Sequence, residues 1–172
     1  MSPLVVADRE GMQRVGEGLA ALLAPGDLVV LSGALGAGKT TLTQGIGHGL
    51  RVRGEVTSPT FVIARVHPST TRGPALVHVD AYRLSSLDEV DDLDLDASLE
   101  DSVTVVEWGE GKVEGLAEDR LLVHVERPTG DAAEDREPSS DTAEPRSVTV
   151  TGIGPRWAGI DVEALLAGAV AR

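Results

Sequence analysis

One segment, residues 28–50, restricts the chain to α/β folds because it joins a buried strand to a helix through a glycine-rich turn. Leu28 to Leu31 is a continuous apolar run, which is typical of a strand covered on both faces of its sheet. The turn from Gly33 to Gly38 follows, and the residue spacing predicts a helix from about Lys39 to Leu50. That helix contains three glycines, so tertiary packing must compensate for its poor helix propensity. The chain has 172 residues, enough for one such domain.

The turn itself has the pattern of a phosphate-binding loop. Gly33 to Thr40 fits Gly-x-x-x-x-Gly-Lys-[Ser/Thr] without deviation. Its glycines can bring backbone N–H groups against phosphate oxygens, and the following helix points its positive end at the same anion. Lys39 can reach the β- and γ-phosphates, and the Thr40 hydroxyl is a hard oxygen ligand suited to magnesium. The residues predicted to contact the phosphates are Gly33, Ala34, Leu35, Gly36, Ala37, Gly38, Lys39, Thr40 and Thr41.

The remaining pattern predicts one domain, residues 1–172, rather than two. Further strands are predicted at Leu4 to Val6, Thr60 to Val66, Leu76 to Tyr82, Val103 to Val106, Leu121 to Glu126 and Ser147 to Thr151, the last two as an antiparallel pair. Asp8 and Asp161 are predicted to cap helices, the first stopped by Pro25-Gly26, and Asp88 to Asp101 is expected to hold one or two short helices. Residues 127–146 are rich in Pro, Ser, Asp and Glu, so we expect a disordered acidic hairpin loop there.

Composition excludes several classes of function. The chain has no cysteine, which rules out disulfides, thiolate metal sites and cysteine nucleophiles. Its formal net charge of −13 argues against unaided binding to nucleic acid, which requires clustered Lys and Arg. The sequence has neither an apolar run of roughly 18 residues nor a basic-then-apolar signal pattern. We therefore expect a cytoplasmic protein that does not engage a membrane.

Two acidic residues at predicted strand ends are candidates to hold a metal ion or its waters beside the phosphate loop. Asp80 ends the strand Leu76 to Val79, and Glu107 ends Val103 to Val106. A phosphate loop needs such an acid at the end of a neighbouring strand. Spacing alone leaves open which one faces the metal and which one handles the attacking water.

Three further polar or aromatic residues are considered for the same site. Thr60 follows the second helix, where nucleotidases often place a segment that senses the γ-phosphate, although an ordinary turn is equally compatible. Trp108 adjoins Glu107 and is either a packing residue or a surface anchor for the nucleotide or a partner. The anchor is favoured because the chain has only four aromatic residues. His78 is predicted to lie on the strand face opposite Asp80 and to be structural.

The motifs in order resemble one protein family. They are Gly33 to Thr41, Ser58-Pro59-Thr60-Phe61, His78-Val79-Asp80-Ala81-Tyr82-Arg83-Leu84 and Glu107-Trp108-Gly109-Glu110. From about Leu4 to Gly109, the chain resembles the TsaE family, the ATPase component of the bacterial machinery for the tRNA modification N6-threonylcarbamoyladenosine at position 37.

This resemblance implies a P-loop NTPase-like three-layer sandwich, with a mixed, mainly parallel sheet flanked by helices and an antiparallel C-terminal strand pair. It implies an ATPase that uses ATP and Mg²⁺, binds the TsaB and TsaD proteins, and meets tRNA only through that complex. Thr40 and Glu107 would be the magnesium ligands, and Asp80 would assist hydrolysis together with Lys39. Thr60 would lie in a switch-like segment, and Trp108 would occupy the family's tryptophan position beside the metal-binding acid.

Other nucleotide-binding classes share the loop. A small-molecule or nucleoside kinase is the main alternative, but it needs an acceptor pocket and usually an arginine-bearing lid, and the arginines form no tight cluster beyond Arg51 and Arg53. A GTPase is disfavoured because the chain has no asparagine for the guanine-reading motif. A nucleotide-gated binding module with negligible turnover is a third class.

Overall fold

A sheet of seven strands organises the structure, a computed structural model that describes residues 3–58, 64–84, 99–127 and 144–170. Its strands are β1 (Leu4–Val6), β2 (Leu28–Ser32), β3 (Ala64–His67), β4 (Ala75–Asp80), β5 (Ser102–Glu107), β6 (Arg120–Glu126) and β7 (Arg146–Ile153). The helices described in full are α1 (Arg9–Ala20), α2 (Lys39–Gly49) and α3 (Val162–Val170), with a short 3-10 helix at Pro155–Trp157.

The sheet is mixed and mainly parallel, as predicted. Its strand order is β1-β7-β6-β2-β5-β4-β3. The central strands β6, β2, β5 and β4 pair in parallel, whereas β3 is antiparallel to β4, and β7 lies antiparallel between β6 and β1. β6 and β7 are the expected antiparallel C-terminal pair. Because β2 and β5 are adjacent, the phosphate loop after β2 and Glu107 at the end of β5 meet at one edge of the sheet.

Each face of the sheet supports its own apolar core. On one face, the three helices pack on inward residues such as Leu31, Leu76 and Val105, and Leu42 and Ile46 of α2 are fully buried there. On the other face, Val30, Val79 and Val106 form a second cluster with residues of the segment 109–119. The run of residues in β2 is continuously apolar because alternate residues pack into the cores on opposite faces of the sheet.

Helices α1 and α2 pack closely against each other where each has a glycine. A β-carbon on Gly16 or on Gly45 would collide with the backbone of the opposite helix, at Leu42 and Gln13 respectively. The glycines that lower the helix propensity of α2 are thus the residues that permit its closest contact. This confirms that packing, rather than intrinsic propensity, holds the helix.

Capping residues act as predicted, whereas some boundaries differ. Asp8 accepts a hydrogen bond from the Gly11 N–H at 2.7 Å, and Asp161 accepts one from the Ala164 N–H at 3.0 Å. Helix α1 ends at Ala20 rather than at Pro25, because a turn closed by the Asp27 carboxylate follows it. The strand predicted to reach Tyr82 ends at Asp80.

Several expectations fall outside the described residues. Most of the acidic stretch Asp88 to Asp101 and nearly all of the loop 127–146 belong to the ranges that are not described, as does Thr60. The described ends of that loop are β6, which stops at Glu126, and β7, which starts at Arg146. No helix in the described part of the chain has the length and hydropathy to cross a bilayer.

Candidate active site

The loop between β2 and α2 has the backbone geometry that phosphate binding requires. Gly33, Gly36 and Gly38 have φ values of 134°, 73° and 112°, in the region that favours glycine. Gly33 is also crowded, because a β-carbon there would collide with the carbonyl oxygen of Val125 on β6. Gly38 is the N-cap of α2 and offers no side chain to cap it, so the first-turn N–H groups remain available to an anion.

Lys39 lies folded back into this loop. Its Nζ donates hydrogen bonds to the carbonyl oxygens of Gly33 and Ala34, each at 2.8 Å, and sits 3.9 Å from the centre of the Trp108 ring. Burial lowers the pKa of Lys39 below its ordinary value, and the carboxylates of Glu107 and Asp80 oppose that shift. The lysine is thus held where an incoming phosphate could replace the two carbonyl groups as its partner.

The hydroxyl of Thr40 and the carboxylate of Glu107 are in direct contact. Thr40 Oγ1 lies 3.1 Å from Glu107 Oε1 and 3.3 Å from Oε2. Neighbouring oxygens around an octahedral magnesium ion, with bonds of about 2.1 Å, lie about 3 Å apart. The chemistry and spacing of these oxygens therefore fit a magnesium ion, for which Thr40 and Glu107 would be the protein ligands.

Asp80 occupies the corresponding position one strand further from the loop. It pairs with Glu107 in the β4–β5 register, so both carboxylates emerge from the same edge and face of the sheet. Asp80 Oδ1 accepts a hydrogen bond from the Tyr82 N–H at 3.0 Å and is only partly buried. Glu107, whose side chain is 4% exposed, is the acid that contacts Thr40.

His78 is part of the same cluster, and the prediction that it faces away from Asp80 is wrong. Residues two apart on a strand share a face. His78 is fully buried, and its Nε2 lies 2.8 Å from Glu107 Oε1. Since an ionised carboxylate can only accept, Nε2 donates this hydrogen bond.

Trp108 and Tyr82 form an aromatic rim beside Lys39. Their ring centres are 5.1 Å apart in an edge-to-face arrangement. Trp108 has a left-handed backbone, with φ of 61°, and its N–H donates to the Leu31 carbonyl oxygen at 3.0 Å. This bond ties the residue after β5 to the end of β2, so the ring reaches the phosphate loop. Tyr82 belongs to the motif His78 to Leu84, but no site role is predicted for it from the sequence, although the scarcity of aromatics offers a signal.

Comparison with known proteins agrees with this geometry. The family model described as "Threonylcarbamoyl adenosine biosynthesis protein TsaE" matches residues 6–137. The chain belongs to the TsaE family. A Streptomyces coelicolor protein named "tRNA threonylcarbamoyladenosine biosynthesis protein TsaE" is 65% identical over 90% of this chain and 99% of its own length. A protein of the same name from Bacillus subtilis is 36% identical over 80% of this chain and 77% of its own length.

A solved structure extends the likeness to the fold. The crystal structure of Bacillus subtilis YdiB is 28% identical to this chain, with a TM-score of 0.64, and the match covers 98% of this chain and 93% of that one. The P-loop-like α/β architecture expected of a TsaE protein is therefore confirmed for this chain.

Most of the residues predicted for the site lie together at one edge of the sheet in this TsaE protein. The loop, Thr40, Glu107 and Trp108 are joined by the contacts above, and Asp80 is adjacent. Leu35 is 85% exposed at the tip of the loop, whereas Ala37 is buried beneath it. Thr41 lies in the first turn of α2. Thr60 is outside the described residues, so its place in the site stays a prediction.

Proposed function

We propose that this TsaE protein is the ATP-binding and ATP-hydrolysing subunit of the machinery that makes N6-threonylcarbamoyladenosine on tRNA, and that it acts on a complex of TsaB and TsaD. The observation that carries the ATPase part is the contact between the Thr40 hydroxyl and the buried Glu107 carboxylate beside the phosphate loop. The family membership of the chain supports the pathway.

The described residues have distinct roles in this proposal. The N–H groups of the loop and of the first turn of α2 bind the phosphates, and Lys39 exchanges the Gly33 and Ala34 carbonyls for phosphate oxygens. A magnesium ion held by Thr40 and Glu107 would neutralise charge that develops on the phosphates. Asp80, one strand away, would orient the attacking water, since its carboxylate emerges from the same edge.

Partner contact is proposed to be with protein, and contact with tRNA only through that protein. The formal net charge of −13 would repel a phosphate backbone. The rim of the nucleotide site, in contrast, carries exposed apolar groups, with Leu35 at 85% and Tyr82 at 65% exposure. In this proposal, the protein partner covers this rim. A cytoplasmic location follows from the same proposal.

The test combines this protein with purified TsaB, TsaD, tRNA, Mg-ATP and a donor of the threonylcarbamoyl group, and follows two products, inorganic phosphate and threonylcarbamoyladenosine. We expect Mg²⁺-dependent phosphate release that rises when TsaB and TsaD are added, and nucleoside formation over repeated cycles only with this protein present. Incubation of the protein with a metabolite extract and ATP that carries a radiolabelled γ-phosphate tests the kinase alternative. Transfer of the label to an acceptor without release of phosphate would overturn the ATPase proposal.

A further inference from the structure

We infer that His78 is a positioning residue, whose Nε2–H fixes the Glu107 carboxylate in the orientation that binds magnesium. The inference rests on the proposed function, in which Glu107 is a metal ligand. His78 itself touches neither the phosphate loop nor Thr40 in any described contact. It would act through Glu107 alone.

Burial makes the hydrogen bond from His78 consequential. The His78 side chain has no exposed surface and that of Glu107 is 4% exposed, so neither can turn to water. A buried carboxylate is costly unless donors satisfy its oxygens. Thr40 and His78 are the side-chain donors to Glu107 among the described residues. Because Thr40 is also a proposed ligand, His78 is the donor that serves the carboxylate only.

The two oxygens of Glu107 are held unequally. Oε1 lies 2.8 Å from His78 Nε2 and 3.1 Å from Thr40 Oγ1, whereas among the described residues Oε2 has just the longer, 3.3 Å contact with Thr40. The imidazole thus anchors Oε1 and leaves Oε2 with a spare lone pair. A carboxylate held at one oxygen cannot rotate freely, so its other oxygen is preorganised for a cation.

The sheet makes this anchor rigid. His78 pairs with Val105 in the parallel β4–β5 ladder, two residues before the pair Asp80 and Glu107. The ring therefore reaches diagonally across one strand spacing on the same face of the sheet. Its Nδ1 has no hydrogen-bond partner in the described part of the chain, so the polar contact of the ring is with Glu107. Positioning groups act best from such fixed elements.

His67 provides a matched control on the adjacent strand. It is 4% exposed, its Nε2 likewise has no described partner, and it makes no described contact with Glu107. Burial lowers the pKa of His67 below its ordinary value. A substitution at His67 therefore reproduces the loss of a buried imidazole from this sheet without removing a donor from the carboxylate.

The experiment titrates MgCl₂ into full-length protein saturated with ADP and follows binding by calorimetry. For His78→Leu, which keeps an apolar volume but removes the donor, we expect Mg²⁺ affinity to fall about 10- to 100-fold, as for other outer-shell partners of metal ligands. ADP affinity in EDTA should stay unchanged, because the phosphate loop is intact. His78→Gln, with an amide N–H near the position of Nε2, should restore most of the Mg²⁺ affinity, and His67→Leu should match wild type.

A second measurement uses the metal-free protein. The Nε2–H proton of His78, bonded to a carboxylate, should give a downfield, exchange-protected imidazole signal in nitrogen-15 NMR spectra, and Glu107→Gln should shift it. If Mg²⁺ affinity in His78→Leu equals that of wild type, or if the Leu and Gln variants behave alike, the positioning role is refuted.

The variants distinguish a failure of this inference from a failure of the proposed function. Absence of Mg²⁺-dependent binding in wild type, or full Mg²⁺ affinity in Glu107→Gln, would overturn both. Loss in Glu107→Gln without loss in His78→Leu would overturn the role of His78 alone. Should His78→Leu fail to fold, His78→Asn replaces it: its side chain is too short to reach Glu107, so affinity lower than that of His78→Gln supports positioning, and equal affinity refutes it.

Discussion

At the scale of single residues, the chain offers a matched test of the phosphate loop, because it has only two lysines, Lys39 and Lys112. Lys39 bonds to the Gly33 and Ala34 carbonyls inside the loop, whereas Lys112 Nζ donates to the Ala81 carbonyl at 2.7 Å. Lys39→Ala removes the cation that is proposed to meet the phosphates, so ATP affinity should fall by a factor of at least about 100, roughly the value of a charge-assisted interaction in a desolvated site.

Equilibrium dialysis with labelled ATP measures this effect. Lys112→Ala should bind ATP as wild type does, which separates the loss of a loop cation from the loss of one positive charge. Unchanged ATP affinity in Lys39→Ala would contradict the assignment of the loop.

Trp108 should report occupation of the loop, because its ring lies 3.9 Å from the Lys39 ammonium. When phosphates draw Lys39 away from its present partners, the electrostatic environment of the indole changes. Trp157 is buried against a different cation, Arg156, at 4.4 Å, and is replaced by Phe to isolate the signal. We expect Mg-ATP to change the emission of Trp157→Phe protein. The same titration with Trp108→Phe should show no comparable change, and an equal response of both variants would count against this placement.

At the scale of elements, strand order explains what sequence patterns alone could not supply. The loop motif and the two strand-end acids were evident from local sequence. Which acid meets Thr40 depends on β5, not β4, being the neighbour of β2, and that is a tertiary fact. Strand periodicity alone puts His78 on the same face of β4 as Asp80, so the correct placement of His78 could have been predicted from the sequence.

Glycine-to-alanine substitutions in α2 and in α3 should change the stability of the protein in opposite directions. Gly45→Ala improves helix propensity by about 1 kcal/mol, but the new methyl group would collide with the Gln13 carbonyl on α1. Overpacking of this kind costs about 1–3 kcal/mol, and more against backbone, so we expect a net loss of stability. Gly168→Ala in α3 meets nothing within 4 Å and should stabilise by up to about 1 kcal/mol. Urea unfolding measures both, and a stabilised Gly45→Ala protein would refute the close packing.

At the scale of the whole molecule, Arg156 joins the C-terminal part of the chain to the start of β2. Its guanidinium makes a two-bond ion pair with both carboxylate oxygens of Asp27 and also donates to the Leu22 carbonyl at 2.9 Å. The Asp27 side chain is 4% exposed and that of Arg156 is 33% exposed. Arg156→Met keeps the stem but leaves the buried carboxylate short of donors, which should cost about 1–3 kcal/mol. The pKa of Arg156 is raised by its hydrogen bonds to Asp27.

Chemical denaturation compares Arg156→Met with Arg83→Met, an exposed arginine beyond the end of β4. The control should remain within about 0.5 kcal/mol of wild type, as surface substitutions usually do. Equal stability of the two variants would show that the ion pair between Arg156 and Asp27 does not contribute to the stability of the fold.

The acidic loop is predicted to be dispensable for folding, because the strands on either side of it pair with each other directly. Glu126 of β6 is opposite Ser147 of β7, and the ladder continues to Arg120 and Ile153. Deleting residues 131–144 leaves residues 127–130, 145 and 146, six in all, between that first pair. Short connections suffice for an antiparallel hairpin, and a shorter loop costs slightly less closure entropy. The melting temperature should therefore stay within a few degrees of wild type, and ATP affinity should be unchanged.

Val148→Asp, at a fully buried position of β7, is the control and should lower the melting temperature sharply. A comparable fall on deletion would mean that the loop contributes contacts on which the sheet depends.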